Sequence, residues 1–181
     1  RGKRQAPVLA APEGPCDNED IAVTPEVTKA VAGPRGEVFI VLHLRTLESP
    51  ACTWQVSHES LTLKISSGKD DIWSSRQCPR AVPTRNVVVR SAVTTDVGLT
   101  WNGKRSDDDD CSRLSRWALP GYYHVAAAAL AGEPADEQFE LEAPTGEVIT
   151  KSPSPHQQPH RNKNAQKSGG RPVASPSGST D

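Results

Sequence analysis

Short stretches of alternating apolar and polar residues recur along the chain, with the two-residue period that is typical of β-strands. In residues 61–66 every second residue is a leucine or an isoleucine, which predicts a strand with one buried face. Residues 38–44 are apolar everywhere except at His43. This pattern indicates a central strand that is covered in part on both faces.

Weaker patterns predict further strands. Residues 21–24 are strand-like, but Pro25 has no backbone N–H and therefore limits that strand to a sheet edge or ends it. The remaining predicted strands lie close to turn signals rich in Gly, Pro, Asn or Ser; they span residues 71–75, 86–92, 97–101 and 138–142.

Residues 122–130 carry two conflicting signals. The run Ala126–Ala129 has a high helix propensity, whereas the tyrosines and the valine before it favour a strand. Because glycines bound the stretch on both sides and leave it short, we predict a strand. We expect this strand to form a hairpin with residues 138–142 through the turn at residues 132–134.

Many short strands without a convincing amphipathic helix predict an all-β protein, an immunoglobulin-like antiparallel β-sandwich of about 7–8 strands. We expect the sandwich to occupy residues 16–144, after a linker at residues 1–15. Residues 145–181 are predicted to be a disordered basic tail rich in Pro, Ser and Gly. No apolar run in the sequence is long enough to span a membrane.

The start of the chain and its composition bear on location. Arg1, Lys3 and Arg4 are typical of the flank left by a removed signal peptide or membrane helix, and the absence of Met favours a processed piece. Membrane attachment is therefore expected only through a missing N-terminal anchor. The net charge of −1 does not indicate a nucleic-acid-binding protein.

The four cysteines, Cys16, Cys52, Cys78 and Cys111, are widely spaced and lie beside polar turns. This spacing does not fit a zinc site and favours two disulfides in an oxidising, extracytoplasmic compartment. Three pairings are possible. We favour Cys16–Cys52 with Cys78–Cys111, because each bond then closes a loop of moderate length, which stabilises the fold by about 3–4 kcal/mol.

The acidic loop at residues 104–117 contains the run Asp107, Asp108, Asp109 and Asp110, whose carboxylates are weak candidates for a cation site. The run lacks the spacing of a calcium-binding loop, and Lys104 and Arg105 partly neutralise it. A solvated loop is the favoured interpretation. No catalytic motif and no cofactor motif is present, so we predict neither catalytic residues nor a cofactor. His43 and His124 fall in predicted strands and are expected to be hydrogen-bonded or half-exposed.

Trp117 stands out in this polar loop, with Arg113 and Arg116 close by. It either folds back over the end of the sandwich, which we favour, or is exposed as an anchor for a partner. If any surface binds a partner, these three residues are the best candidates. The partner would be another envelope protein or an anionic envelope polymer.

The stretch from Cys16 to Trp54, with its strand at residues 38–44, resembles the small secreted and lipoprotein-type β-sandwich domains of actinobacteria. Residues 119–123, Leu-Pro-Gly-Tyr-Tyr, resemble the closing strands of such domains and of proteinase-inhibitor-like sandwiches. The resemblance implies pairing of the first two cysteines, a tyrosine-corner role for Tyr123 and a location in the cell envelope.

The sequence as a whole predicts a non-catalytic extracytoplasmic domain of a cell-envelope protein, acting as a structural or protein-interaction module. One alternative is a ligand- or cation-binding module that uses the loop at residues 104–117. Another is a protease-inhibitor-like sandwich. Fold alone does not decide among these functions.

Overall fold

The computed structural model describes residues 2–106 and 111–145. Within these ranges the chain forms nine β-strands and two short 3-10 helices, Asn18–Asp20 and Pro79–Ala81. The strands are β1 Ile21–Ala30, β2 Val38–Thr46, β3 Ala51–Val56, β4 Leu61–Ser67, β5 Asp70–Ser74, β6 Arg85–Arg90, β7 Thr95–Trp101, β8 Gly121–Ala129 and β9 Ala135–Leu141.

The strands pair antiparallel in three groups, in the orders β1-β2-β7, β3-β6 and β5-β4-β8-β9. Their inward-facing side chains form one hydrophobic core. The predicted all-β antiparallel sandwich is therefore confirmed. The predicted hairpin of β8 and β9 is confirmed too, and the alanine run is strand rather than helix, because its backbone pairs with β4 on one side and with β9 on the other.

Strand β2 is the centre of the three-stranded sheet, as its sequence predicts. Its inward side chains Val38, Ile40, Leu42 and Leu44 are at most 1% exposed. Phe39 and Val41 on the outer face are half-buried. The apolar run thus reflects one face in the core and a second face that is covered in part.

Strand β1 extends beyond the predicted end at Pro25. It continues to Ala30, with Pro25 opposite Leu42. The strand lies at the edge of its sheet, where the missing N–H of proline costs no ladder bond on the open side. The prediction of an edge is confirmed, whereas the alternative that proline ends the strand is wrong.

Strand β3 is the strand that the sequence patterns do not predict. Ala51 and Cys52 are both buried, which breaks the alternation expected of a half-buried strand. The first part of the chain covers the edge of β3: Thr53 N donates to Gly14 O at 2.9 Å, and Cys16 N donates to Thr53 O at 2.8 Å. β3 therefore pairs with β6 at one edge and with the N-terminal segment at the other, which buries residues that simple alternation would leave exposed.

Four aromatic side chains connect the sheets at one end of the core. The ring of Trp101 on β7 lies 6.3 Å from Trp73 on β5 and 6.4 Å from Tyr123 on β8. Tyr123 in turn stacks on Phe139 of β9 at 5.8 Å. Aromatic pairs at such distances add stability beyond the area they bury.

Asp20 organises the turn between β2 and β3. Its carboxylate accepts hydrogen bonds from the backbone N–H groups of Leu47, Glu48 and Ser49, at 3.0, 2.7 and 3.2 Å. Burial alone would raise the pKa of Asp20, but the hydrogen bonds outweigh it and hold the pKa below its ordinary value of 3.8. The carboxylate thus fixes this turn in its ionised form.

His43 on the outer face of β2 lies between two carboxylates. Its Nε2 is 2.6 Å from Glu26 Oε2 on β1, and its Nδ1 is 2.6 Å from Asp96 Oδ1 on β7. The hydrogen bond to Glu26, followed by that to Asp96, raises the pKa of His43 above its ordinary value of 6.5, while burial opposes the rise. The expected hydrogen-bonded strand histidine is confirmed, and when protonated it joins all three strands.

We expect Asp20→Ala to lower the free energy of unfolding by about 1–2 kcal/mol, because backbone donors in the turn lose their acceptor. Asp17→Ala is the matched control, since the side chain of Asp17 makes no capping hydrogen bond. Urea denaturation of both variants measures the difference. Equal stability of the two variants would show that the turn does not depend on the carboxylate.

We also expect stability to depend on pH through His43. A raised folded pKa means that the stabilisation is complete below pH 6.5 and is lost as the pH rises through the folded pKa. The free energy of unfolding should fall there by less than about 1.4 kcal/mol per pH unit, the limit for one proton. His43→Gln should remove this slope, whereas His124→Gln, which changes an exposed histidine of the other sheet, should keep it. A slope that survives in His43→Gln contradicts the assignment.

Candidate functional site

The loop between β7 and β8, residues 102–120, begins and ends as a short two-stranded ladder. Arg105 N donates to Arg116 O at 2.8 Å, and Ala118 N donates to Gly103 O at 2.8 Å. Gly103 has a φ of 78°, a backbone conformation that favours glycine. The two ends of the loop therefore support each other.

The ladder is also fixed to the sandwich. The indole N–H of Trp101 donates to Lys104 O at 2.9 Å, and Ser106 N donates to Ile72 O of β5 at 2.9 Å. A disulfide joins Cys78 to Cys111, with the two Cα atoms 5.2 Å apart. The loop is thus held by a core side chain, by a sheet edge and by a covalent bond.

The described part of the loop contains a tight turn at residues 112–115, which is called the tip below. Ser115 N donates to Ser112 O at 3.1 Å, and Leu114 N donates to Ser112 Oγ at 3.1 Å. Lys104 Nζ reaches across the loop and donates to Arg113 O at 2.8 Å. Arg113 and Leu114 therefore occupy the central turn positions, and the side chain of Leu114 points outward, with the residue 91% exposed.

Trp117 lies half-buried beside the tip. The ammonium group of Lys104 stands 4.8 Å from the centre of its ring, a cation–π contact, and Gly103 lies close to Cε3 at the edge of the ring. Trp117 thus packs against the loop base on one side and keeps the other side open. Its position lies between the two alternatives that the sequence leaves open.

The cations of the loop fall into two groups. Lys104 contacts Trp117 and Arg113, and Arg105 forms a bidentate ion pair with Asp70 at 3.0–3.1 Å. The hydrogen bond from Arg105 lowers the pKa of Asp70. In the part of the chain that the structure describes, Arg113 and Arg116 form no ion pair and are exposed.

A pocket of about 330 Å³ adjoins Trp117. Its walls include Trp117, Leu119 and Tyr123 as apolar surfaces, with Arg116 and the Arg105–Asp70 ion pair at its polar side. Leu119 is 75% exposed, and Tyr122 nearby is 64% exposed. Exposed large apolar side chains therefore occur at three places in this part of the sequence, at Leu114, Leu119 and Tyr122.

Tyr123 fixes the end of the loop. Its ring is in the core, and its hydroxyl donates a short hydrogen bond to Leu119 O, four residues upstream. Burial raises the pKa of Tyr123. This geometry is that of a tyrosine corner, so the role that the resemblance implies for Tyr123 is confirmed.

The other predicted site residues lie apart from this loop or outside the described part. The second disulfide joins Cys16 to Cys52 near the start of the sandwich, with Cα atoms 5.1 Å apart, so both bonds have the favoured pairing. Asp107–Asp110 lie outside the described residues. Within the described ranges, no group of three or more His, Cys, Asp or Glu side chains is placed to hold a metal.

Sequence reasoning did not single out Leu114, the exposed apolar residue at the tip, or the role of Lys104. The available signal was one leucine between two arginines in an otherwise polar loop. What the sequence does not contain is the contact of Lys104 with Arg113 O and with the ring of Trp117, which depends on how the loop folds.

Comparisons with known proteins do not place the chain in a family. No family model and no curated protein matches the chain. A β-glucosidase from Erythrobacter marinus aligns with 67% of this chain and 15% of its own, at 12% identity and a TM-score of 0.42. A cycloisomaltooligosaccharide glucanotransferase from Paenibacillus sp. aligns with 69% of this chain and 15% of its own, at 16% identity and a TM-score of 0.35.

A sporulation control protein from Bacillus subtilis aligns with 70% of this chain and 50% of its own, at 11% identity and a TM-score of 0.36. The chain thus spans half or less of the length of these three proteins. TM-scores of this size show neither a shared family nor a shared activity. In the ranges that the structure describes, no helix has the length and apolar character needed to cross a membrane.

We expect Tyr123→Phe to lower the free energy of unfolding by about 0.5–1.5 kcal/mol, because the change removes the hydrogen bond to Leu119 O and leaves the ring in place. Tyr122→Phe is the matched control, since Tyr122 is exposed. Thermal and urea denaturation of the two variants measure the difference. Equal effects of the two substitutions would contradict a tyrosine corner.

Proposed function

We propose that this chain is a non-catalytic, extracytoplasmic domain of a cell-envelope protein and that it binds another protein through the loop between β7 and β8. The observation that carries the proposal is the turn at residues 112–115, which presents Leu114 at its tip with 91% of the residue exposed. A single exposed leucine is ordinary. Here the leucine stands on a loop base that several bonds hold in place.

Preorganisation supports a binding role. Association is opposed by the entropy of ordering loops and side chains, so a loop that is ordered before binding loses less on association. The disulfide at Cys111, the ladder at Arg105 and the hydrogen bond from Trp101 restrict this loop in the free protein.

The composition of the surface also supports a protein partner. Leu114, Leu119 and Tyr122 are largely exposed, and Trp117 keeps one side open beside Arg116. Aromatic and arginine side chains are enriched among the residues that dominate binding energy, and clustered apolar exposure marks interaction sites. A peptide that pairs with a partner as an added strand is extended. The turn at residues 112–115 is tight instead, and this difference favours docking of the loop over protease inhibition.

The extracytoplasmic location rests on the two disulfides, which persist in oxidising compartments. The cell-envelope location rests on the resemblance of the strand and cysteine pattern to secreted and lipoprotein-type domains. Neither statement assigns a reaction to the chain. The proposal is therefore of a module that holds or recognises another envelope protein.

The test is site-specific photo-crosslinking of the full-length protein in the organism that produces it. With a photoreactive residue in place of Leu114, we expect one discrete adduct with another protein, because the tip is at the centre of the contact. The matched control replaces Leu47, which is 66% exposed in the turn after β2. The same adducts at both positions, or none at position 114, would contradict the proposal.

A further inference from the structure

We propose that the partner docks an acidic segment on this loop, with carboxylates on Arg113 and Arg116 and an apolar side chain in the pocket beside Trp117. This inference deepens the proposed function and rests on it. The surface formed by Arg113, Leu114, Arg116, Trp117 and Leu119 is called the docking surface below. The partner is a polypeptide that carries an apolar or aromatic residue next to acidic residues.

The four cationic side chains of the loop differ in whether they already have a partner inside the domain. The ammonium group of Lys104 and the guanidinium of Arg105 are engaged inside the domain, with Trp117 and with Asp70. In the described part of the chain neither Arg113 nor Arg116 forms an ion pair, although Arg116 lies near enough to Asp70 to help lower the pKa of that carboxyl group. The two arginines flank Leu114 on a loop whose backbone is already fixed. A partner that binds them therefore has little backbone left to order.

The pocket beside Trp117 has room for a side chain of the partner. Its volume of about 330 Å³ is at the lower end of the range of about 300–1,000 Å³ that is typical of ligand pockets, which fits one side chain. Trp117, Leu119 and Tyr123 contribute its apolar surface, and Arg116 and the Arg105–Asp70 ion pair contribute its charged surface. An apolar side chain that enters the pocket therefore brings a neighbouring carboxylate to Arg116.

The exposed apolar side chains favour a polypeptide partner over an anionic polymer. A polyanion without apolar groups would contact the arginines and leave Leu114, Leu119 and Tyr122 in water. An acidic polypeptide with an apolar residue covers both kinds of surface. The mixture of arginines and large apolar side chains in residues 113–119 is thus complementary to a mixture of carboxylates and apolar side chains in the partner.

The experiment measures fluorescence anisotropy of labelled peptides with the full chain. Three Gly/Ser peptides carry the motif Asp-Phe-Asp, Asn-Phe-Asn or Asp-Ala-Asp. We expect the Asp-Phe-Asp peptide to bind, and each of the other two to bind at least about tenfold more weakly, because each lacks one component of the contact. Binding should weaken further as salt is added, since the pairs are at the surface.

Two variants test the residues. Arg116→Gln keeps a hydrogen-bonding side chain without charge and should weaken the Asp-Phe-Asp peptide about tenfold while leaving the Asn-Phe-Asn peptide unchanged. Arg85→Gln is the matched control, because Arg85 is an exposed arginine on β6. It should leave both peptides unchanged. Both substitutions are at exposed positions, and thermal denaturation checks that the variants are folded.

Several outcomes would overturn the inference. They are equal binding of the acidic and the amide peptide, no binding of any peptide, and equal effects of the Arg116 and Arg85 substitutions. Binding of polyphosphate without binding of the peptides would assign the docking surface to an anionic polymer instead. A protein adduct at position 114 that persists unchanged in Arg113→Gln and Arg116→Gln would keep the proposed function and reject the acidic partner.

Discussion

The burial of Trp101 is the interaction on which both the core and the loop depend. Trp101 is 1% exposed, and its ring lies within contact distance of Trp73 and Tyr123, so it joins the three-stranded sheet to the four-stranded sheet. A buried indole needs a hydrogen-bond acceptor, and here the acceptor is the carbonyl of Lys104, the residue that also holds the turn and the ring of Trp117. One side chain therefore links hydrophobic packing to the position of the exposed loop.

The two ends of the loop are fixed in different ways, and the difference explains its shape. At its start the loop is held by a hydrogen bond from the buried Trp101 and by a hydrogen bond from Ser106 N to β5. At its end the hydroxyl of Tyr123 holds the backbone at Leu119 before β8 begins. Between these points the disulfide at Cys111 adds a covalent limit.

The sequence was sufficient for the fold class, most strands, the hairpin of β8 and β9 and the favoured disulfide pairing, because these follow from local alternation and from cysteine spacing. It was not sufficient for β3, whose burial comes from the N-terminal segment and from β6, both distant in sequence. The full length of β1 was missed because the effect of Pro25 depends on which edge of the strand is open. The loop residues Arg113, Arg116 and Trp117 were identifiable by type, whereas the exposure of Leu114 and the contacts of Lys104 arise only from tertiary structure.

The pairing of the N-terminal segment with β3 also has a mechanical consequence. The backbone hydrogen bonds of Gly14 and Cys16 to Thr53 lie beside the disulfide of Cys16 with Cys52. A pulling force applied through the first residues would first peel away these few hydrogen bonds and then divide at Cys16. Part of the load would pass through the sulfur bridge into β3, and only the remainder would reach β1. The disulfide would thus reduce the force on β1, the edge strand of the three-stranded sheet, when the domain is under tension.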